Sequence, residues 1–156
     1  MVPGYKAVVI DGKKYLSGKG RKPEGRGGRR SKMQELIRVA VDAMGGDNAP
    51  VEMVKGAVDA VNKEQNVTVL LVGIEEIVRE ELGKYSYDKE RIQVVGATEV
   101  IETAEPPVNA IRKKKDSSIV VGMKLVKKGE ADAFVSAGSS GAILVGGQTL
   151  VGRIKG

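Results

Sequence analysis

Two glycine-rich segments, Val41-Asp42-Ala43-Met44-Gly45-Gly46-Asp47-Asn48-Ala49-Pro50 and Val135-Ser136-Ala137-Gly138-Ser139-Ser140-Gly141, each follow a short apolar run and precede an amphipathic or apolar stretch. That order reads as strand, tight loop, helix, once near the start and once near the end of the chain. Such loops aim free backbone N–H groups outward from the start of a helix, so both are candidates for holding an anion, with a phosphate-like group as the expected ligand.

Between and around these loops, buried strands alternate with amphipathic helices, which predicts the α/β class with a mostly parallel sheet and flanking helices. Leu36 to Asp42 reads as the first strand, and Val67 to Val72 as a continuous apolar run typical of a parallel strand covered on both faces. Ile92 to Val95 and Ala133 to Val135 read as the third and fourth strands. Pro50 suits the first helical position, with Val51, Val54, Val58 and Val61 on one face and Glu52, Lys55, Asp59 and Lys63 paired along the other. Ile74, Ile77, Val78 and Leu82 mark a second helix closed by Gly83, and Glu105-Pro106-Pro107 starts a short one ending in Arg112-Lys113-Lys114-Lys115. Asp116 or Ser117 caps a further helix carrying Ile119, Met123 and Val126, with Gly129 as its stop. Gly141 to Arg153 reads as a last helix, although Gly146, Gly147 and Gly152 weaken it by about 0.5–1 kcal/mol each relative to Ala. Met33, Met44, Met53 and Met123 read as loop or core packing. Four strands joined by helical crossovers place their carboxyl ends, and both glycine loops, along one edge of the sheet.

A length of 156 residues suits one domain with a modest core. The sequence contains no cysteine and no histidine. Disulfides and thiolate chemistry are thereby excluded, and any acid–base step must use Asp, Glu, Lys or Tyr, or need no side-chain base. No apolar run reaches the roughly 20 residues of a membrane-spanning helix, and the first residues lack the apolar segment of a signal peptide, so a cytoplasmic location is expected.

The net charge of +6 is concentrated near the start, where residues 1–38 hold 11 of the 26 Lys and Arg against three of the 20 acids. Gly18, Gly20, Pro23, Gly25, Gly27 and Gly28 interrupt that basic stretch. Residues 1–35 are therefore expected to be a mostly flexible extension, with a small hairpin around Asp11-Gly12, ahead of an α/β domain over 36–156. The extension suits anionic lipid headgroups better than nucleic acid, because between Lys13 and Arg30 only Tyr15 could stack on a base. The first glycine loop lacks the third glycine of a dinucleotide fingerprint, and no Walker A lysine–hydroxyl pair occurs, which lowers the rank of nucleotides.

Taken in order, Val39-Ala40-Val41-Asp42-Ala43-Met44-Gly45-Gly46-Asp47-Asn48-Ala49-Pro50, Glu105-Pro106-Pro107, Arg112-Lys113-Lys114-Lys115-Asp116-Ser117-Ser118, Ser136-Ala137-Gly138 and Val151-Gly152-Arg153-Ile154-Lys155-Gly156 closely resemble the PlsX phosphate acyltransferases over roughly residues 37–156. The resemblance implies a three-layer fold similar to phosphotransacetylases and isopropylmalate-dehydrogenase-like proteins, here incomplete because family members continue well beyond this length. It implies transfer of a fatty acyl group from acyl carrier protein to inorganic phosphate, giving acyl phosphate for phospholipid synthesis, with no cofactor or metal. It also implies a homodimer in the complete protein and peripheral contact with the anionic inner face of the membrane. Members usually carry Asn-Thr where this chain has Ser139-Ser140.

On that resemblance, Gly45, Gly46, Gly138, Ser139, Ser140 and Gly141 are the expected phosphate-binding positions, and Asp42, Asp47, Ser139 and Ser140 the expected catalytic ones. For Asp42 and Asp47 there is a plainer role, in which their carboxylates accept loop amides and shape the turn. Lys113, Lys114 and Lys115 are candidates for contact with the acidic surface of acyl carrier protein, against the plainer reading of solvated charge at a helix end. Two further readings stay open: a catalytically inactive, truncated phosphate- or nucleotide-binding α/β module, and an interaction protein acting through its basic arm.

Overall fold

The computed structural model of the protein describes residues 36–153. The expected basic arm and hairpin lie outside the described residues. Within them, four strands form one parallel sheet: β1 (Ile37–Asp42), β2 (Val67–Gly73), β3 (Ile92–Gly96) and β4 (Ala133–Val135), in the order β3-β2-β1-β4. The helices are α1 (Val51–Lys63), α2 (Glu75–Leu82), α3 (Pro107–Lys113), α4 (Ser118–Lys128) and α5 (Ser140–Gly146). One stretch of π-helix, Gly147–Val151, prolongs α5.

The strands are buried on both faces, and their two-residue period divides the core into two layers. Ala40, Leu70, Val72 and Phe134 point to the side covered by α3, α4 and α5, where Ile111, Ile119, Val120, Met123, Val126 and Ile143 meet them. Val41, Val69, Leu71 and Ile92 point to the other side, against Met53, Val54, Ala57, Val58 and Val61 of α1 and Val78 and Leu82 of α2. Each fully buried aliphatic side chain contributes about 1.5–3 kcal/mol through removal from water.

Sequence periodicity located these elements closely, with local differences. Met53 and Ala57 join the buried face of α1, while Val51 is 43% exposed, because Pro50 occupies the position before the helix rather than its first turn. The carbonyl of Pro50 nonetheless accepts the Val54 N–H at 2.9 Å and closes that turn. Glu52, Lys55, Asp59 and Lys63 lie on the exposed face of α1 as expected, but they form no ion pairs with one another. Ser117, not Asp116, caps α4 by accepting the Val120 N–H, and Gly129 ends that helix in the left-handed conformation at φ 74°. The last helix loosens into π geometry at Gly147 and stops at Gly152, whose φ of 109° favours glycine.

The connection between β3 and β4 decides where the functional edge lies. Consecutive strands β1, β2 and β3 step outward in one direction, and the chain then returns past them to place β4 on the other side of β1. The boundary between β1 and β4 is therefore a topological switch point, and in open parallel sheets the crevice outside the carboxyl ends at such a point collects ligands. Val41 is in register with Val135, so the two glycine loops leave the sheet side by side.

Candidate functional site

At the end of β1, Asp42 turns its carboxyl group into the molecule, where it is 1% exposed. Its Oδ1 accepts the Met44 N–H at 3.1 Å, closing the short turn that begins the first loop. Its Oδ2 accepts the Ser136 hydroxyl at 2.7 Å, and the nearby Ser118 hydroxyl and Gly45 N–H further favour the charged form of the carboxyl. Burial pushes the Asp42 carboxyl up from its ordinary range, while these donors pull it partly back.

Ser136 links the two loops. Its Oγ donates to Asp42 and accepts the Gly138 N–H at 3.0 Å. A side chain on Gly45 would place its Cβ 2.5 Å from Asp42 Oδ2 and 2.8 Å from the Gly138 nitrogen, so the loops approach at a distance only glycine permits. Gly46 adds a φ of 97°, which turns the first loop over Ala137.

The second loop enters α5 through Ser139, which is 2% exposed and whose Oγ accepts the Ala142 N–H at 3.3 Å. Ser140 follows at the first helical position and is exposed. Gly141 packs beneath it, since a Cβ there would lie 2.5 Å from Pro107 Cγ. Among the described residues, the N–H groups of Ser139, Ser140 and Gly141 in this loop, and of Gly46, Asp47 and Asn48 in the first, donate to no protein acceptor.

The expected site residues thus divide by what they touch. Gly45, Gly46, Gly138, Ser139, Ser140 and Gly141 come together at the switch point, yet the Gly138 N–H is taken by Ser136 and is not a free donor as expected. Asp42 accepts the Met44 amide and the Ser136 hydroxyl, the contacts that its plainer role requires. Asp47 is exposed, and its carboxylate accepts no hydrogen bond from the described residues, so it does not share that role. Lys114 turns inward, with its Nζ donating to the Val100 carbonyl at 2.6 Å and to Glu105 Oε1 at 2.5 Å. The ammonium beside Glu105 holds that carboxyl below its usual range. Lys113 and Lys115 are exposed.

Ser118 and Ser136 are the residues whose roles sequence reasoning missed. The signal for Ser136 was present in principle: a serine one residue past β4 neighbours an aspartate at the end of β1 once those strands pair in register. Ser118 had no comparable signal, because it reaches Asp42 only through the folding of the β3–α4 connection. There the Thr98 hydroxyl donates to Asp116 Oδ2 at 2.6 Å and the Ser118 N–H to the Glu99 carbonyl at 3.2 Å, which brings the start of α4 to the carboxyl edge.

Residues 37–156 match the family described as "Fatty acid synthesis protein". Among curated relatives, the "Phosphate acyltransferase" of Clostridium kluyveri is 51% identical over 118 residues, 76% of this chain and 35% of the relative. The proteins of the same name from Alkaliphilus oremlandii and Clostridioides difficile are 52% and 48% identical over 120 residues, 77% of this chain and 36% and 35% of theirs. The chain thus spans about a third of the length of the curated relatives it matches.

Proposed function

The chain belongs to the fatty acid synthesis protein family, the PlsX phosphate acyltransferases, and from that premise we propose that it serves in transfer of a fatty acyl group from acyl carrier protein to inorganic phosphate. The product is acyl phosphate, a precursor for phospholipid synthesis. The observation that carries this reading is the convergence of two glycine loops at the β1–β4 switch point with unpartnered amides on each.

The reaction suits a site without histidine. Phosphoryl groups have a second pKa of about 6, so phosphate near neutral pH already holds a large dianion fraction and needs no strong base. A phosphate oxygen attacks the thioester carbonyl, the carbonyl oxygen takes up negative charge, and collapse of that adduct expels the carrier's sulfur as the leaving group, which ends as the free thiol. The amides of Ser139, Ser140 and Gly141, with the Ser139 and Ser140 hydroxyls, are assigned to the phosphate, and Gly45 and Gly46 allow the facing loop to close on it. Asp47, exposed beside the unpartnered amides of the first loop, is assigned to relaying to the leaving sulfur the proton that hydrogen phosphate gives up as it becomes acyl phosphate. Asp42 acts from beneath by holding the loops together.

For partners, the exposed Lys113 and Lys115 are assigned to the acidic carrier protein, and the basic stretch before residue 36 to an anionic membrane surface. The homodimer belongs to this proposal for the full-length family member. Among the described residues no helix is long and apolar enough to cross a membrane.

The test is to incubate the chain with acyl-acyl carrier protein and inorganic phosphate and to trap acyl phosphate with hydroxylamine, with phosphate binding followed separately by calorimetry. Acyl hydroxamate that depends on both substrates supports the reading. Phosphate binding without turnover reassigns the chain to a binding module, and neither signal overturns the reading for this chain.

A further inference from the structure

Beneath the two loops lies a buried polar cluster in which the acyl transfer chemistry gives Ser118 and Ser136 no task. Asp42, Ser118 and Ser136 are 1%, 2% and 2% exposed, and they come from the end of β1, the first residue of α4 and the loop after β4. A hydroxyl has one proton to donate. Ser136 donates its proton to Asp42 Oδ2 and keeps a lone pair for the Gly138 N–H, which makes a chain from Gly138 through Ser136 to Asp42. The Met44 N–H donates to Oδ1, and the Ser118 hydroxyl from α4 and the Gly45 N–H add dipoles that favour the charged form. The groups that favour the charged form of this carboxyl are hydroxyls and amides, with no charged side chain among them.

We infer that Ser136 is a positioning residue of this site: it ties the Gly138 turn to Asp42 and so aims the amides of Ser139, Ser140 and Gly141 at the phosphate position. The inference rests on the reading that these loops hold phosphate. Ser136 touches no substrate in this arrangement, since its proton and a lone pair are engaged within the protein. Its effect passes through the backbone, where removal of the hydroxyl releases Gly138 and leaves Asp42 short of one donor in a buried setting. Ser118 acts on the same carboxyl without touching Gly138, so the two serines are separable.

The experiment compares the chain with its Ser136→Ala and Ser118→Ala variants. It measures inorganic phosphate affinity by calorimetry, the Gly138 amide by proton–nitrogen NMR with hydrogen exchange, and the Asp42 carboxyl titration by carbon NMR. Ser136→Ala is expected to weaken phosphate binding about tenfold, the scale of one lost buried hydrogen bond, and to speed Gly138 amide exchange by a similar factor. Ser118→Ala is expected to leave the Gly138 amide in place, and both variants to move the Asp42 titration upward, a signature that general loosening would not produce. If the parent chain binds phosphate and Ser136→Ala binds it within about twofold, below the scale of one lost hydrogen bond, the inference is overturned. If the parent chain does not bind phosphate, the phosphate reading fails, and an unchanged Gly138 amide in Ser136→Ala would separately overturn the Ser136 role. Should Ser136→Ala not fold, Ser136→Cys decides, since a thiol is a weak hydrogen-bond partner: an unchanged Gly138 amide overturns the inference.

Discussion

The Ser136 hydroxyl donates to Asp42 Oδ2 at 2.7 Å, joining residues 94 positions apart in the chain, one at the end of β1 and the other just past its neighbour β4. This bond ties the two loops together.

Gly45 is the position where the loops meet most closely. In Gly45→Ala the new methyl would lie 2.8 Å from the Gly138 nitrogen, which is backbone and cannot swing aside. The expected loss of stability is about 1–3 kcal/mol, measured by urea unfolding. A midpoint equal to that of the parent chain would show that the loops separate freely.

Asp42 gives stability a pH dependence of definite sign. Burial raises its folded titration above the unfolded value of about 3.9, so its contribution is whole below that pH and is lost as pH rises through the folded midpoint. Asp42→Asn removes this titration. The stability of the parent chain minus that of the variant, from unfolding between about pH 3 and pH 7, should therefore fall as pH rises. A difference that climbs with pH would contradict the assigned burial cost.

Two glycines in helices should respond in opposite directions to alanine. Nothing lies within 4 Å of a Cβ placed on Gly56 in α1, so Gly56→Ala is expected to stabilise by about 0.5–1 kcal/mol. A Cβ on Gly122 in α4 would overlap the ring of the fully buried Phe134, so Gly122→Ala is expected to destabilise by about 1–3 kcal/mol. Paired thermal melts decide both, and a shared sign would refute the packing argument.

The three consecutive lysines should separate by function. Lys113→Glu with Lys115→Glu is expected to weaken association with acyl carrier protein, most strongly at low salt, whereas Lys114→Gln should leave it unchanged. Lys114→Gln should instead lower fold stability at neutral pH. Glu105 is held below its ordinary range, so the stability it shares with Lys114 is present above about pH 4.3 and is lost as pH falls through the depressed midpoint. Equal effects of all three lysines on carrier binding would return Lys114 to the docking face.

Much of this protein was legible before any coordinates. The apolar run from Val67, the Pro106-Pro107 break, the Ser117 cap and the Gly129 stop act through local backbone geometry, which is why periodicity and turn chemistry located the sheet and helices to within a few residues. Glycine loops following β1 and β4 were equally visible, as was the family they belong to.

What the linear sequence could not decide was which polar groups the fold would consume. Lys114 reads as a surface charge beside Lys113 and Lys115 until the Val100 carbonyl and Glu105 are brought against it. The Gly138 amide reads as free until β4 pairs with β1 and places Ser136 between that turn and Asp42. Ser118 reads as an ordinary start of α4 until the β3–α4 connection carries it to the same carboxyl. Strand and helix preferences are properties of neighbouring residues, whereas hydrogen-bond partners across 94 positions exist only after the sheet order β3-β2-β1-β4 has formed. The sequence by itself determined the elements and the glycine turns; the order of the strands decided that those turns would meet, and which of their donors would remain for a ligand.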